Sequence, residues 1–162
     1  MNTIVVIANG AQARFFTLEP AESPDYESSP RLVEQECLVN PQQEVAGKDL
    51  WSDNSGGNRS TGGGGSHGYD DHRDKHRADY ERRFAQQVAA ATTQLVRGRE
   101  ANRVVLAADS RMLGALRGEL HRANDFDLKP VAKDYSKLSV LDLHEQLAAL
   151  DLLPARRKPG VQ

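Results

Sequence analysis

Between Ser52 and Arg83 the chain reads SDNSGGNRSTGGGGSHGYDDHRDKHRADYERR, and no residue before Tyr69 in that stretch can contribute to a core. Seven of the thirteen glycines fall between Gly56 and Gly68, and from Asn54 to Tyr69 the only formally charged side chain is Arg59. Such a strip buries too little apolar surface to offset its own ordering entropy. Any fold must therefore carry it as an excursion, with the core assembled from the segments on either side.

The glycine strip runs directly into DDHRDKHRADYERRF. Asp70 or Asp71 can cap a helix there, and Asp74 stands three residues after Asp71 in a box-like pair. The helix is marked by an apolar row at Tyr80, Phe84, Val88, Ala91 and Leu95, and it is expected to end near Gly98. Carried backwards, the row meets Arg77 or His76 and then Arg73 or His72. A face packed on a sheet cannot hold two arginines, so the first two turns are expected to project past the core as a basic stalk.

The flanking segments read as an α/β domain. TIVVIA at residues 3–8 is a β-branched run suited to a strand covered on both faces. Asn9-Gly10 signals a turn into an antiparallel partner over 13–19, with Phe16 and Leu18 on one face and Phe15 on the other. Residues 31–39 alternate, with Val33, Cys37 and Val39 expected to face one way and Glu34 and Glu36 the other. After the helix, RVVLAA (103–108) is a second buried-type strand. Asp109 or Ser110 then caps a helix facing inward through Leu113, Leu116 and Leu120. Residues 127–134 form a last strand at a sheet edge, because Pro130 cannot donate to a ladder. A final helix over 139–150 has Ser139 and Asp142 as a capping pair, turns Leu143, Leu147 and Leu150 to one side, and closes at Pro154. Three strands followed by helix-strand-helix-strand-helix specify a mixed five-stranded sheet in the order 3-2-1-4-5. The expected organisation is one domain over 1–154, a long Gly-rich loop at 40–74 and a basic flexible tail at 155–162. Leu50 and Trp51 are expected to pin the base of the loop to the domain.

Composition narrows the chemistry. The net charge of −2 argues against bulk adhesion to nucleic acid, though a local basic element can bind phosphate on an acidic protein. The single cysteine, Cys37, rules out a disulfide framework and a thiolate cluster and fits a reducing compartment. MNTIVVIANG lacks a basic leader and its apolar run is too short for a signal peptide or membrane span, so the expectation is a cytoplasmic protein with no membrane partner. His67, His72 and His76 lie among Asp70, Asp71 and Asp74, and His72 and His76 are spaced to chelate one ion. No HExxH pattern accompanies them, so a solvated polar helix end is the expectation and no metal or other cofactor is assigned. The glycine run is not a phosphate cradle, since no Gly-Lys-Ser/Thr comes after it. No nucleophile-base arrangement can be argued from spacing. The cation set Arg59, Arg73, Lys75, Arg77, Arg82 and Arg83 stands out, because it coincides with the glycine strip and the stalk. Asp74, Asp79 and Glu81 intervene, so an ordinary solvated helix is one reading and a phosphate-backbone contact surface on structured RNA is the other.

Several stretches together resemble a known family: TIVVIANGAQARFFTLE, the loop with DLWSDNSGG, HRADYERRFAQQVA, RVVLAADSRMLGALR and VAKDYSKLSVLDLHEQL. They look like the bacterial host attachment proteins, also called translational machinery proteins, over nearly the whole chain. The layout further resembles the middle domain of archaeal and eukaryotic class-1 release factors, in which a Gly-Gly-Gln loop precedes an Arg-rich helix. That resemblance implies that Gly56 and Gly57 match the two glycines and that Asn58 falls where the glutamine stands. Asparagine is one methylene shorter than the glutamine that positions the attacking water, and the second cluster, Gly62 to Gly65, has no counterpart. The implied function is a non-catalytic module docking on the ribosome or tRNA through Gly56, Gly57, Asn58, Arg59, Arg73, Lys75, Arg77, Arg82 and Arg83. Two alternatives stay open: a peptidyl-tRNA or ester hydrolase using Asn58, and a protein-interaction adaptor in host attachment.

Overall fold

The fold is a computed structural model that describes residues 2–23, 25–41, 66–121 and 126–158, with the side chains of the long helix described from His76 onwards. In chain order it contains β1 (Thr3–Ala8), β2 (Gln12–Glu19), β3 (Arg31–Val39), α1 (Ser66–Arg99), β4 (Arg103–Ala108), α2 (Ser110–Leu120), β5 (Asp127–Val131) and α3 (Val140–Ala149). One sheet holds all five strands in the order β3-β2-β1-β4-β5, as expected. β1 runs antiparallel to β2 and parallel to β4, and β4 runs parallel to β5. The two parallel pairings need crossovers, which α1 and α2 provide.

Alternation along the central strands divides the core into two layers. Ile4, Val6, Phe15, Val104 and Leu106 pack against Phe84 and Val88 of α1 and Met112 and Leu116 of α2. On the other face Val5, Ile7, Phe16 and Val105 meet Leu143 and Leu147 of α3, together with Tyr135 and Leu153. β5, which holds Pro130, lies at the edge of the sheet, where proline is tolerated.

In β3 the buried residue is Leu32, with Leu38 half-buried, whereas Cys37 and Val39 are exposed. The register against β2 shifts between Phe15 and Phe16, so Phe16 faces Glu34, Phe15 faces Glu36, and Gln35 is the extra residue. Directly opposed residues share a face. Leu32, opposite Leu18, therefore belongs to the α3 layer, and Leu38, opposite Ala13, belongs to the α1 layer. A bulge of one residue reverses the alternation on which the expectation for Val33, Cys37 and Val39 rested.

Two corrections concern α1, its start and its packed face. The helix begins at Ser66 rather than at Asp70 or Asp71; it ends at Arg99, near Gly98 as expected, where Glu100 takes a left-handed conformation (φ 52°) and Ala101 N–H donates to Val96 O at 2.9 Å. Its buried residues are Phe84, Ala85, Val88, Ala89, Thr92 and Val96, while Tyr80, Ala91 and Leu95 are only half-buried. At 100° per residue the buried arc is turned roughly 70° from the apolar row. The small side chains Ala85 and Ala89 let the helix approach closely, and the Thr92 hydroxyl is satisfied by Val88 O at 2.8 Å.

In α3 the Ser139 hydroxyl accepts from Asp142 N–H at 3.1 Å, as its sequence implies. Leu150, expected inside, is 45% exposed, and His144 is buried beside Leu143 and Leu147 instead. The helix stops at a left-handed Asp151 (φ 60°), before Pro154 is reached. Beyond it, where a free tail was expected from Ala155, Arg157 and Ser29 exchange both backbone hydrogen bonds, at 2.9 and 3.3 Å.

Candidate functional site

The β1–β2 turn fixes where the long excursion leaves and returns. Asn9 Oδ1 accepts from the amides of Ala11 and Gln12 at 2.8 and 2.9 Å, which closes the turn. Its Nδ2 donates to Asp134 Oδ2 and Ser136 Oγ at 3.2 and 3.1 Å, tying the turn to the segment after β5. Asn40, the residue after β3, is buried and donates from Nδ2 to Gly10 O at 3.0 Å. On the returning side Glu81 of α1 lies over Gly10, where a Cβ would stand 3.3 Å from Glu81 Oε1. The chain thus departs and comes back on the same turn.

The direction of α1 follows from its two ends. Glu81 sits at the carboxyl end of β1, and Asn2 Nδ2 donates to Arg99 O at 2.8 Å beside the start of β1. α1 therefore runs antiparallel to β1. From Ser66 to Tyr80 the helix continues beyond the carboxyl ends of the parallel strands, roughly 22 Å at 1.5 Å per residue. His76, Arg77 and Ala78 are exposed, and Phe84 is the first buried residue of α1 among those described.

The electrostatics at the base of this projection are set by where the acids go. Glu81 turns inward and pairs with Arg111 of α2 at 3.1 Å, its side chain only 18% exposed. Asp79 stays outside and takes both Arg82, at 2.5 Å, and Arg83, at 3.5 Å. Among the described side chains, three exposed arginines, Arg77, Arg82 and Arg83, are thus left against one partly exposed carboxylate, Asp79. By helical geometry Arg82 and Arg83 stand about 140° and 240° around from Arg77. They form a belt around the helix rather than the single cationic stripe implied by the apolar row, because the face that packs on the body continues into Glu81.

The remaining sequence candidates fall elsewhere. Gly56, Gly57, Asn58 and Arg59 lie outside the described residues, as do Leu50 and Trp51. Arg73 and Lys75 lie on the α1 backbone, and their side chains, like those of His67 and His72, are outside the described residues. His76 packs against the Tyr80 ring, with centroids 6.0 Å apart. Among the described residues no three His, Cys, Asp or Glu side chains come together as a metal site would require. Asp109 caps α2, accepting from Met112 N–H at 3.4 Å. The participant that sequence reasoning missed is Arg111, whose only signal was its position two residues after that cap.

Two polar groups near the sheet are structural. Arg14 donates to Ser136 O and Leu138 O at 3.3 and 2.9 Å and to Glu34 at 2.8 Å, and its guanidinium lies 5.0 Å from the Phe16 ring centroid. It pins the β5–α3 connection. Burial works to raise the pKa of Asp134, but hydrogen bonds from the Ser136 hydroxyl and amide and from Asn9, with the charge of Lys137, together hold it below the ordinary value.

Residues 4–147 match the family described as "Protein required for attachment to host cells". The chain belongs to that family. No curated protein matches it. No helix among the described residues is long and apolar enough to cross a membrane.

Proposed function

We propose that this member of the host-attachment family is a non-catalytic RNA-binding module that docks on the ribosome or on tRNA. The Gly-rich segment, with Gly56, Gly57, Asn58 and Arg59, precedes α1 directly in the sequence, and on this reading any effect on attachment follows from altered translation. One observation carries the reading: α1 continues for about 22 Å on the N-terminal side of its contact with Gly10, with Arg77, Arg82 and Arg83 distributed around its base, while Glu81 is withdrawn to Arg111 and a single carboxylate, Asp79, is shared by Arg82 and Arg83 among the described side chains. Cations on several sides of one helix suit a rod entering a cleft with phosphates on more than one wall. A rod lying flat on a surface would need them on one side only. The Asp79 pairs are exposed and worth little, so phosphate can displace them.

Such contacts position without reading sequence, and each phosphate neutralised releases counterions. Binding to 70S ribosomes is therefore expected to weaken steeply with salt. Replacing Arg73, Arg77, Arg82 and Arg83 by Ala should reduce co-sedimentation and leave unfolding unchanged, since none of the described members of this set is buried. A quadruple variant that sediments with ribosomes as well as the wild type refutes the proposal. Turnover of peptidyl-tRNA that is lost in Asn58→Ala would instead establish the hydrolase.

A further inference from the structure

The outer face of α2 is a second basic surface among the described residues. Met112, Leu113, Leu116 and Leu120 are buried, which leaves Ser110, Arg111, Gly114, Arg117, Gly118 and His121 outside. At 100° per residue these six fall within an arc of roughly 120°. No acid of α2 shares the arc, Glu119 being half-buried about 80° beyond its edge, and the one described carboxylate that reaches it is that of Glu81, at Arg111. Arg111 is 64% exposed despite its bond to Glu81, and that bond uses Nε and leaves its terminal nitrogens available. Through the same pair the face adjoins the base of the stalk.

Within this basic face stand two glycines, one helical turn apart, on a helix of only 11 residues. An added Cβ at Gly114 or Gly118 would meet nothing within 4 Å, so neither glycine is required by packing inside the protein. Each nonetheless costs the helix about 1 kcal/mol relative to alanine. What glycine does provide on an exposed helix is close approach of another backbone.

We propose that the outer face of α2 is a second RNA-contact surface. A sugar-phosphate strand lies along Gly114 and Gly118 against the helix backbone, with Arg111 and Arg117 pairing its phosphates on either side. The occupant follows from charge complementarity: a face that offers Arg117 and the terminal nitrogens of Arg111 on either side of a smooth glycine track matches a polyanion whose backbone must come close. The inference rests on the RNA-binding reading and adds a second point of attachment, so that a bound RNA spans from the stalk to α2.

The test uses unfractionated tRNA and the full-length protein carrying a fluorophore on Cys37, which is exposed on edge strand β3, at the opposite side of the sheet from the β4–α2 unit. Arg117→Gln should lower the slope of log affinity against log salt by about 0.7–0.9, the value of one phosphate contact. The double variant Gly114→Ala, Gly118→Ala should raise Tm, because alanine is the better helix former and finds open space. It should at the same time weaken tRNA binding about tenfold, the worth of one charge-assisted hydrogen bond. A gain in stability coupled to a loss of affinity is not what a structural role produces. Unchanged affinity and slope in these α2 variants, with the stalk variant weakened, overturns this inference and leaves the stalk standing. Wild-type protein that binds neither tRNA nor ribosomes overturns both.

Discussion

His144 makes the stability of the domain depend on pH. Its ring is buried in the α3 layer at 1% exposure, Nε2 donates to Pro154 O at 2.8 Å, and Nδ1 is buried with no hydrogen-bond partner. Burial is the main cause of a pKa below the ordinary 6.5; the bond to Pro154 opposes it, and the charge of Arg156 lowers it further. The imidazole is thus neutral when folded, and below pH 6.5 the unfolded chain binds the extra proton. The stabilising contribution is complete above 6.5 and declines as pH falls, until the pH passes the folded pKa. The limiting slope is about 1.4 kcal/mol per pH unit. Asp134, whose pKa is lowered from 3.8, lies outside this window. His144→Leu removes the titration. It loses one hydrogen bond, worth about 1 kcal/mol, but also removes the orphaned Nδ1, so at pH 8 it should unfold within about 1 kcal/mol of the wild type. Urea titrations from pH 8 to 5 should show the wild type declining and the variant nearly flat, with the variant becoming the more stable at the acid end. Parallel pH profiles for the two proteins would refute the assignment.

Further predictions test the packing. Phe84→Ala removes a ring 1% exposed at the centre of the α1 layer and should cost about 3–5 kcal/mol in urea unfolding; a loss below about 1 kcal/mol would contradict its place. Deleting Gln35 removes the bulge and forces Leu32 or Leu38 off its layer, which should cost at least about 2 kcal/mol by thermal unfolding. Gln35→Ala loses only a bond to Thr17 Oγ1 at 2.9 Å and should cost about 1 kcal/mol, so equal losses in the two would count against the bulge. Glu100→Gly relieves a left-handed residue at φ 52° and should raise stability by about 1 kcal/mol; a drop in Tm would show that the end of α1 is held otherwise.

The sheet was legible because its decisive signals are local and strong. Two uninterrupted apolar runs, at 4–8 and 104–108, read as central strands, and Pro130 marked an edge. The features that could not be read depended on contacts distant in sequence. The parity of β3 turns on Gln35 being skipped by β2, which no alternation within 31–39 reveals. The packed face of α1 includes Thr92 and two alanines because the helix approaches closely, and a row of large apolar residues finds only its margin. The burial of His144 had no sequence signal, because its partner is the carbonyl of Pro154 in a segment with no periodic pattern. In the candidate site the cations of α1 were recognisable by composition alone. Their distribution was not, because it depends on Glu81 turning towards Arg111, thirty positions along the chain.

The most direct test is sedimentation with 70S ribosomes at low and moderate salt, with and without nuclease treatment, comparing wild type with the Arg73, Arg77, Arg82, Arg83 to Ala variant. Co-sedimentation that falls with salt, disappears after nuclease and is lost in the variant is the predicted result. Wild-type protein left in the supernatant at every salt concentration, or pelleting that survives both nuclease and the four substitutions, would contradict the account.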